Sequence, residues 1–100
     1  PRPLAPAYAE WLRAQDVTRT PQRLVHSAVL MLNRTGDDLI PFDCAATTAR
    51  TLTQAYARAG APGRFRFVRF DIAGHGIGPQ EHQAALHWFQ RWLGAPTRKP

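Results

Sequence analysis

The sequence contains little cysteine, lysine or acidic residue, and it has no long apolar run. Its one cysteine, Cys44, can form neither an internal disulfide nor the cysteine pair of a structural zinc site. No apolar run approaches the roughly 18 residues that a membrane span needs, so no membrane partner is expected. Apolar residues make up 44% and charged residues 20% of the chain, which excludes disorder as the default state. The composition therefore indicates a globular segment without a disulfide framework.

A chain of 100 residues is long enough for one modest core and too short for two. We therefore expect a single segment, with a short helix and connection over 1–25, a folded unit over 26–94 and a tail over 95–100. The chain opens at Pro1 with neither a methionine nor a signal-peptide pattern, which predicts a processed chain or a piece of a longer one. A cytoplasmic location is expected.

Basic residues outnumber acidic ones by 13 to 7, and the net charge of +6 raises the question of a nucleic-acid partner. The arginines are scattered, and the densest group is Arg64, Arg66 and Arg69, interleaved with phenylalanines. That group is typical either of a stacking platform for bases or of the charged face of an edge strand. The scatter favours the edge strand, so no nucleic-acid partner is expected. A stand-alone basic module for binding or assembly remains the alternative function.

Hydrophobic periodicity predicts the order helix, strand, helix, strand, helix. Helices are predicted over 4–15, 42–59 and 79–93, and strands over 28–32 and 64–71. Two strands joined by a long helical crossover form a right-handed βαβ unit with parallel strands. The predicted fold class is therefore α/β.

The second and third predicted helices each carry one apolar stripe at helical spacing. The stripe of the second helix consists of Phe42, Ala45, Ala49, Leu52, Tyr56 and Ala59. The stripe of the third helix consists of Ala85, Leu86, Phe89, Trp92 and Leu93. Trp88 and Trp92 are interpreted as part of the packing and the rim of the third helix.

The first predicted strand, Ala28–Leu32, is a continuous apolar run, which is typical of a strand buried on both faces. A parallel sheet of only two strands has little stability of its own. We therefore expect the sheet to be completed by a missing N-terminal part of the protein or by another chain.

Acidic residues and a histidine follow the two predicted strands. The loop NRTGDDLIP carries Asp37 and Asp38, and the loop AGHGIG carries His75. Because parallel strands end at the same edge of a sheet, a carboxylate in the first loop can reach the imidazole in the second. An acid that accepts a hydrogen bond from one ring nitrogen leaves the other nitrogen to act as a general base. Asp37 also fits a second interpretation, that of a turn-forming residue.

These motifs, in this order, resemble the C-terminal βαβα portion of an α/β-hydrolase, over roughly residues 16–94. The similarity is to the esterase, dienelactone-hydrolase and prolyl-oligopeptidase-like part of that superfamily. It places Asp37 on the position of the catalytic acid, with Ile40 and Pro41 matching the apolar residue and the proline that follow. It places His75 on the position of the catalytic histidine. The resemblance implies a serine hydrolase that cleaves a small-molecule carboxylic ester and needs no cofactor and no metal.

The chain departs from the family pattern at two points. Asn33 and Arg34 stand where the family often has His-Gly, so the end of the strand is bulkier and more polar here. No GxSxG motif occurs in the 100 residues, and in the family the nucleophile precedes the acid and the histidine. We therefore expect the chain to supply two members of a catalytic triad and to be inactive alone.

The remaining candidate residues are expected to have structural roles. Cys44 lies near a helix N-terminus, where a thiol nucleophile is conceivable, but it is interpreted as a small buried residue. Asp43 is expected in the first turn of the same helix, where negative charge is favourable. His82 and His87 lie five residues apart on different faces of a helix and make a poor metal pair. Glu81 is expected to face solvent.

Overall fold

The computed structural model describes residues 5–94, so the predicted helix start at residue 4 and the tail over 95–100 lie outside the described residues. The main elements are α1 (Pro6–Gln15), β1 (Val29–Gly36), α2 (Phe42–Arg58), β2 (Phe65–Ala73) and α3 (Pro79–Leu93). Short 3₁₀ turns precede β1, at Pro21–Arg23, and β2, at Pro62–Arg64. The structure is mixed α/β, and the predicted order of elements is confirmed.

Proline and glycine define the boundaries of the helices. Pro79 occupies the first position of α3, where its missing N–H removes no helical hydrogen bond. Gly60 and Gly94 follow α2 and α3 with positive φ, at +73° and +80°, which glycine adopts readily and other residues rarely do. Asp43 lies in the first turn of α2, as predicted. None of the helices within residues 5–94 is long and apolar enough to cross a membrane.

β1 and β2 form a two-stranded parallel sheet. Val29 lies opposite Phe65, and this register continues to Arg34. A register shift follows, after which Gly36 lies opposite Ala73. The two strands therefore run side by side to their carboxyl ends.

β1 is longer and less buried than the sequence predicts. Residues 33–36, predicted as a loop, continue the strand because β2 lies beside them and pairs with them. The side chains of the apolar segment 29–32 are only partly buried. Within the described residues β1 pairs on one edge alone, so the strand is not enclosed in the way its apolar run predicts.

α2 covers one face of the sheet with the apolar stripe that the sequence predicts. Its buried residues are Ala45, Ala49, Leu52 and Tyr56. Ala49, Leu52 and Tyr56 form one cluster with Phe65 of β2. Val29, Met31 and Phe67 of the two strands pack against this cluster. Ala59, at the end of the predicted stripe, is exposed because the helix has already ended.

α3 lies on the opposite face of the sheet, beside Leu30 and Val68. The predicted buried face of this helix is wrong in part. Trp88 is buried at 7% exposure, whereas three predicted core residues are exposed: Leu86 at 56%, Phe89 at 56% and Leu93 at 80%. Apolar residues occupy more than half of the circumference of α3. Only the side that carries Trp88 packs against the sheet.

The connection before β1 packs against the C-terminal part of α2. Leu24 and Val25 pack against the core cluster. The hydroxyl of the fully buried Tyr56 lies 2.6 Å from the carbonyl oxygens of both Leu24 and Ser27, which share its single proton. One side chain of α2 thus holds the segment that leads into β1.

Replacing Tyr56 with phenylalanine is expected to lower the free energy of unfolding by about 1–3 kcal/mol, because buried carbonyl oxygens lose their donor. Urea denaturation of the two proteins measures the difference. The matched control is Tyr8→Phe, since Tyr8 is 47% exposed and packs only beside Trp11 in the described part of the chain. An equal, small effect of both substitutions would contradict the docking role of the Tyr56 hydroxyl.

Candidate active site

Asp37 and His75 lie in contact at the carboxyl ends of the two strands. The distance between Asp37 Oδ2 and His75 Nδ1 is 2.8 Å. The carboxylate side chain is 9% exposed and the imidazole is 50% exposed. Within the described residues, His75 Nε2 has no hydrogen-bond partner. The arrangement therefore has a buried acid behind an accessible imidazole with one free nitrogen.

Asp37 also shapes the loop in which it stands. Its Oδ1 accepts hydrogen bonds from the backbone N–H groups of Leu39, at 2.8 Å, and Ile40, at 3.0 Å. Both interpretations of this residue thus apply together, because one oxygen forms the turn and the other contacts His75. The Ile40 N–H and the His75 ring, in that order, lower the pKa of Asp37 to about 2. At neutral pH the group is a carboxylate that accepts from Nδ1.

Gly36 brings the two strands close enough for this contact. A Cβ at position 36 would lie 2.8 Å from Ala73 Cα and 2.9 Å from the carbonyl oxygen of Ile72. The Gly74 N–H donates to the Gly36 carbonyl at 2.9 Å, immediately before His75. Only a residue without a side chain fits at this approach, and both functional loops begin from it.

Glu81 is buried at 3% exposure, so its predicted position facing solvent is wrong. It forms an ion pair with Arg34 Nε, and the two side chains are 4% and 15% exposed. Its Oε1 also accepts from the Gly78 N–H at 3.0 Å. One feature of the sequence indicates this role. Glu81 is the third residue after Gly78, the N-cap of α3, and this is the position of the glutamate in a capping box.

A cavity of about 230 Å³ lies beside the acid and the histidine. Leu32, Ile40 and Ile77 give it apolar walls. Asn33 also lines the cavity, and its Oδ1 is buried without a hydrogen-bond partner in the described part of the chain. A buried acceptor of this kind is costly unless a donor reaches it. The cavity combines an apolar surface with an accessible imidazole nitrogen at its edge.

The other candidate residues do not join this site. Asp38 is exposed beside Asp37 and has no hydrogen-bond partner among the described residues. Cys44 is exposed in the first turn of α2, so its predicted burial is wrong. His82 is exposed, and His87 contacts Gln83 on its own helix. Within residues 5–94 no group of three or more potential metal ligands lies together.

The densest arginine group is divided between the two faces of the sheet. Arg66 lies on the face that α3 covers. Arg69 lies over the ring of Phe42, at 5.8 Å, on the face that α2 covers, and it pairs with Asp71. Alternate residues of a strand point to opposite faces, so this group does not form one basic surface.

Comparison with known protein families and with curated proteins finds no match to this chain.

Proposed function

We propose that this chain is the acid-and-histidine part of an α/β-hydrolase-fold serine hydrolase that cleaves carboxylic esters. The contact of 2.8 Å between Asp37 and His75 Nδ1 carries the proposal. It joins two loops at the carboxyl ends of adjacent parallel strands, where open α/β sheets place their functional groups. The acid precedes the histidine along the chain, as in the family that the sequence resembles.

In the proposed mechanism His75 transfers the protons of an acyl-transfer reaction. Asp37 accepts from Nδ1–H and so keeps Nε2 unprotonated and facing the reaction. A serine oxygen attacks the ester carbonyl carbon while Nε2 takes the serine proton. The intermediate then collapses, the ester C–O bond breaks, and Nε2 gives that proton to the leaving alcohol. Water then attacks the carbonyl carbon of the acyl-enzyme while Nε2 takes a proton from it. The bond to the serine oxygen breaks, Nε2 returns the proton to the serine, and the carboxylic acid is released.

The serine and the rest of the sheet belong, in this proposal, to a part of the protein outside these residues. No GxSxG motif occurs in the 100 residues. Two features of the described residues support a further strand beside β1: its second edge is unpaired, and its apolar side chains are only partly buried.

The proposal predicts that the complete protein that contains this chain carries a reactive serine. Incubation with a fluorophosphonate should label one serine, and peptide mapping should place it in a GxSxG sequence. The same protein should hydrolyse a short-chain p-nitrophenyl ester, and prior labelling should abolish that activity. The 100-residue chain alone, whose one serine is Ser27, is the matched control and should remain unlabelled. A complete protein that is neither labelled nor active would overturn the proposal.

A further inference from the structure

A buried ion pair lies beneath the loop that carries His75. Arg34 stands at the end of β1, and its Nε pairs with Glu81 in the first turn of α3. Its Nη1 donates to the carbonyl oxygen of Ala73, at 3.3 Å, where β2 ends. Its Nη2 lies beside Gly78, since a Cβ on that glycine would stand 3.1 Å from it. One guanidinium therefore contacts the chain on both sides of the loop.

Glu81 completes this connection at the far end of the loop. Its side chain is 4% exposed, Oε2 faces Arg34, and Oε1 accepts from the Gly78 N–H at 3.0 Å. The hydrogen bond from Arg34 holds the pKa of Glu81 below its usual range, so the group is a carboxylate at neutral pH. The residue that precedes α3 is thus tied through one carboxylate to the end of β1.

The loop has little rigidity of its own. Gly74 and Gly76 flank His75 at φ of +86° and +154°, in backbone conformations that glycine adopts readily and other residues rarely do. In the described part of the chain, Asp37 is the only hydrogen-bond partner of the His75 side chain. An external attachment at each end restricts the conformations that such a loop samples.

We infer that the Arg34–Glu81 pair is a positioning device that holds the 74–78 loop so that His75 Nδ1 meets Asp37. The two charged side chains bind the loop backbone at both of its ends, at the Ala73 carbonyl and the Gly78 N–H, and so position the histidine between them. Buried ion pairs often add little net stability compared with apolar side chains of similar size. The gain from this pair is a defined geometry. The importance of the Arg34–Glu81 pair for catalysis rests on the proposed function. The effect of the pair on the position of His75 does not depend on that function.

The test replaces both charges together, with Arg34→Met and Glu81→Leu in the complete protein. Because an apolar pair leaves no unpaired buried charge, this double variant should fold and melt cooperatively. Long-range ¹H–¹⁵N spectra of ¹⁵N-histidine-labelled protein report the tautomer of His75, and a His75→Ala variant assigns its signals. We expect the Nδ1–H tautomer to dominate in the parent protein and to lose that dominance in the double variant. Ester hydrolysis should lose up to about 10²-fold in kcat with little change in KM.

Two further variants make the result specific. The double variant Arg69→Met with Asp71→Leu removes an ion pair whose side chains are 62% and 71% exposed, and it should leave the His75 signals unchanged. Glu81→Gln keeps an acceptor for the Gly78 N–H and removes only the charge, so it should shift the tautomer of His75 partly. This single variant replaces the apolar double variant in the test if the double variant does not fold. Folded variants with the parent tautomer would overturn the inference and leave the proposed function standing. A complete protein without esterase activity would remove the proposed function and leave the tautomer result intact.

Discussion

Replacing His75 with alanine is expected to lower kcat for ester hydrolysis by about 10⁴-fold or more in the complete protein. Without the imidazole, no group accepts the serine proton or returns it to the leaving alcohol. KM should change little, because His75 contributes to the reaction and not to the apolar walls of the cavity. Steady-state kinetics with a short-chain p-nitrophenyl ester, on variants shown to be folded by circular dichroism, measures both constants.

Asp37→Asn tests the second member of the same pair and should lower kcat by about 10⁴-fold. The amide offers His75 a donor as readily as an acceptor, so it no longer holds Nδ1 in the protonated form. Because the Ile40 N–H and the His75 ring lower the pKa of Asp37 to about 2, the parent side chain is ionised throughout the neutral range. The difference in kcat between the parent and Asp37→Asn should therefore persist as the pH is raised above neutrality.

Two matched controls stand beside these variants. Asp38→Asn makes the same change at the neighbouring exposed acid, and His82→Ala removes an exposed histidine of α3. Both should retain kcat within a few-fold of the parent value. Full activity in His75→Ala, or a larger loss in Asp38→Asn than in Asp37→Asn, would contradict the assignment of the pair.

Gly36→Ala is expected to damage both stability and activity, because the added Cβ meets backbone atoms at 2.8 and 2.9 Å. Backbone cannot rotate away as a flexible side chain can, so β1 and β2 must move apart where their functional loops begin. We expect a loss of about 1–3 kcal/mol in the free energy of unfolding. A displacement of about 1 Å between Asp37 and His75 should lower kcat by about 10²-fold.

The control for this variant is Gly63→Ala, which adds the same methyl group in the 3₁₀ turn before β2. Its Cβ would meet only the end of the Arg91 side chain, at 3.4 Å, and that side chain can give way. Urea denaturation and ester kinetics on both variants provide the comparison. Equal behaviour of the two variants would show that the close approach of the strands at Gly36 does not determine the site.

The local elements of this protein were predictable because their signals lie within a few residues of sequence. The stripe from Ala45 to Tyr56 specifies α2 and its buried face, and Pro79 marks the start of α3. The meeting of Asp37 and His75 was also predictable, since parallel strands bring the loops after them to one edge of the sheet. The catalytic role of that pair stays a prediction for the kinetic variants to test.

Three of the corrections concern contacts between residues distant in the chain. Strand β1 extends through residues 33–36 because β2 pairs with it, and nothing in the loop-like NRTG sequence indicates that neighbour. Trp88 rather than Leu86 faces the sheet because the surface of the sheet selects among overlapping apolar stripes of α3. Glu81 is buried because Arg34, 47 residues earlier in the chain, meets it there.

Sequence pattern alone thus specified the class, the order of elements and the two loops that carry the acid and the histidine. Helix periodicity, proline and glycine act over one or two turns of chain, so they can be recognised without a structure. Tertiary packing determined the length of β1, the buried side of α3 and the ion pair beneath His75. These three features depend on which surfaces meet across the sheet. The free energy of a buried contact depends on both partners, so neither stretch of sequence indicates it alone.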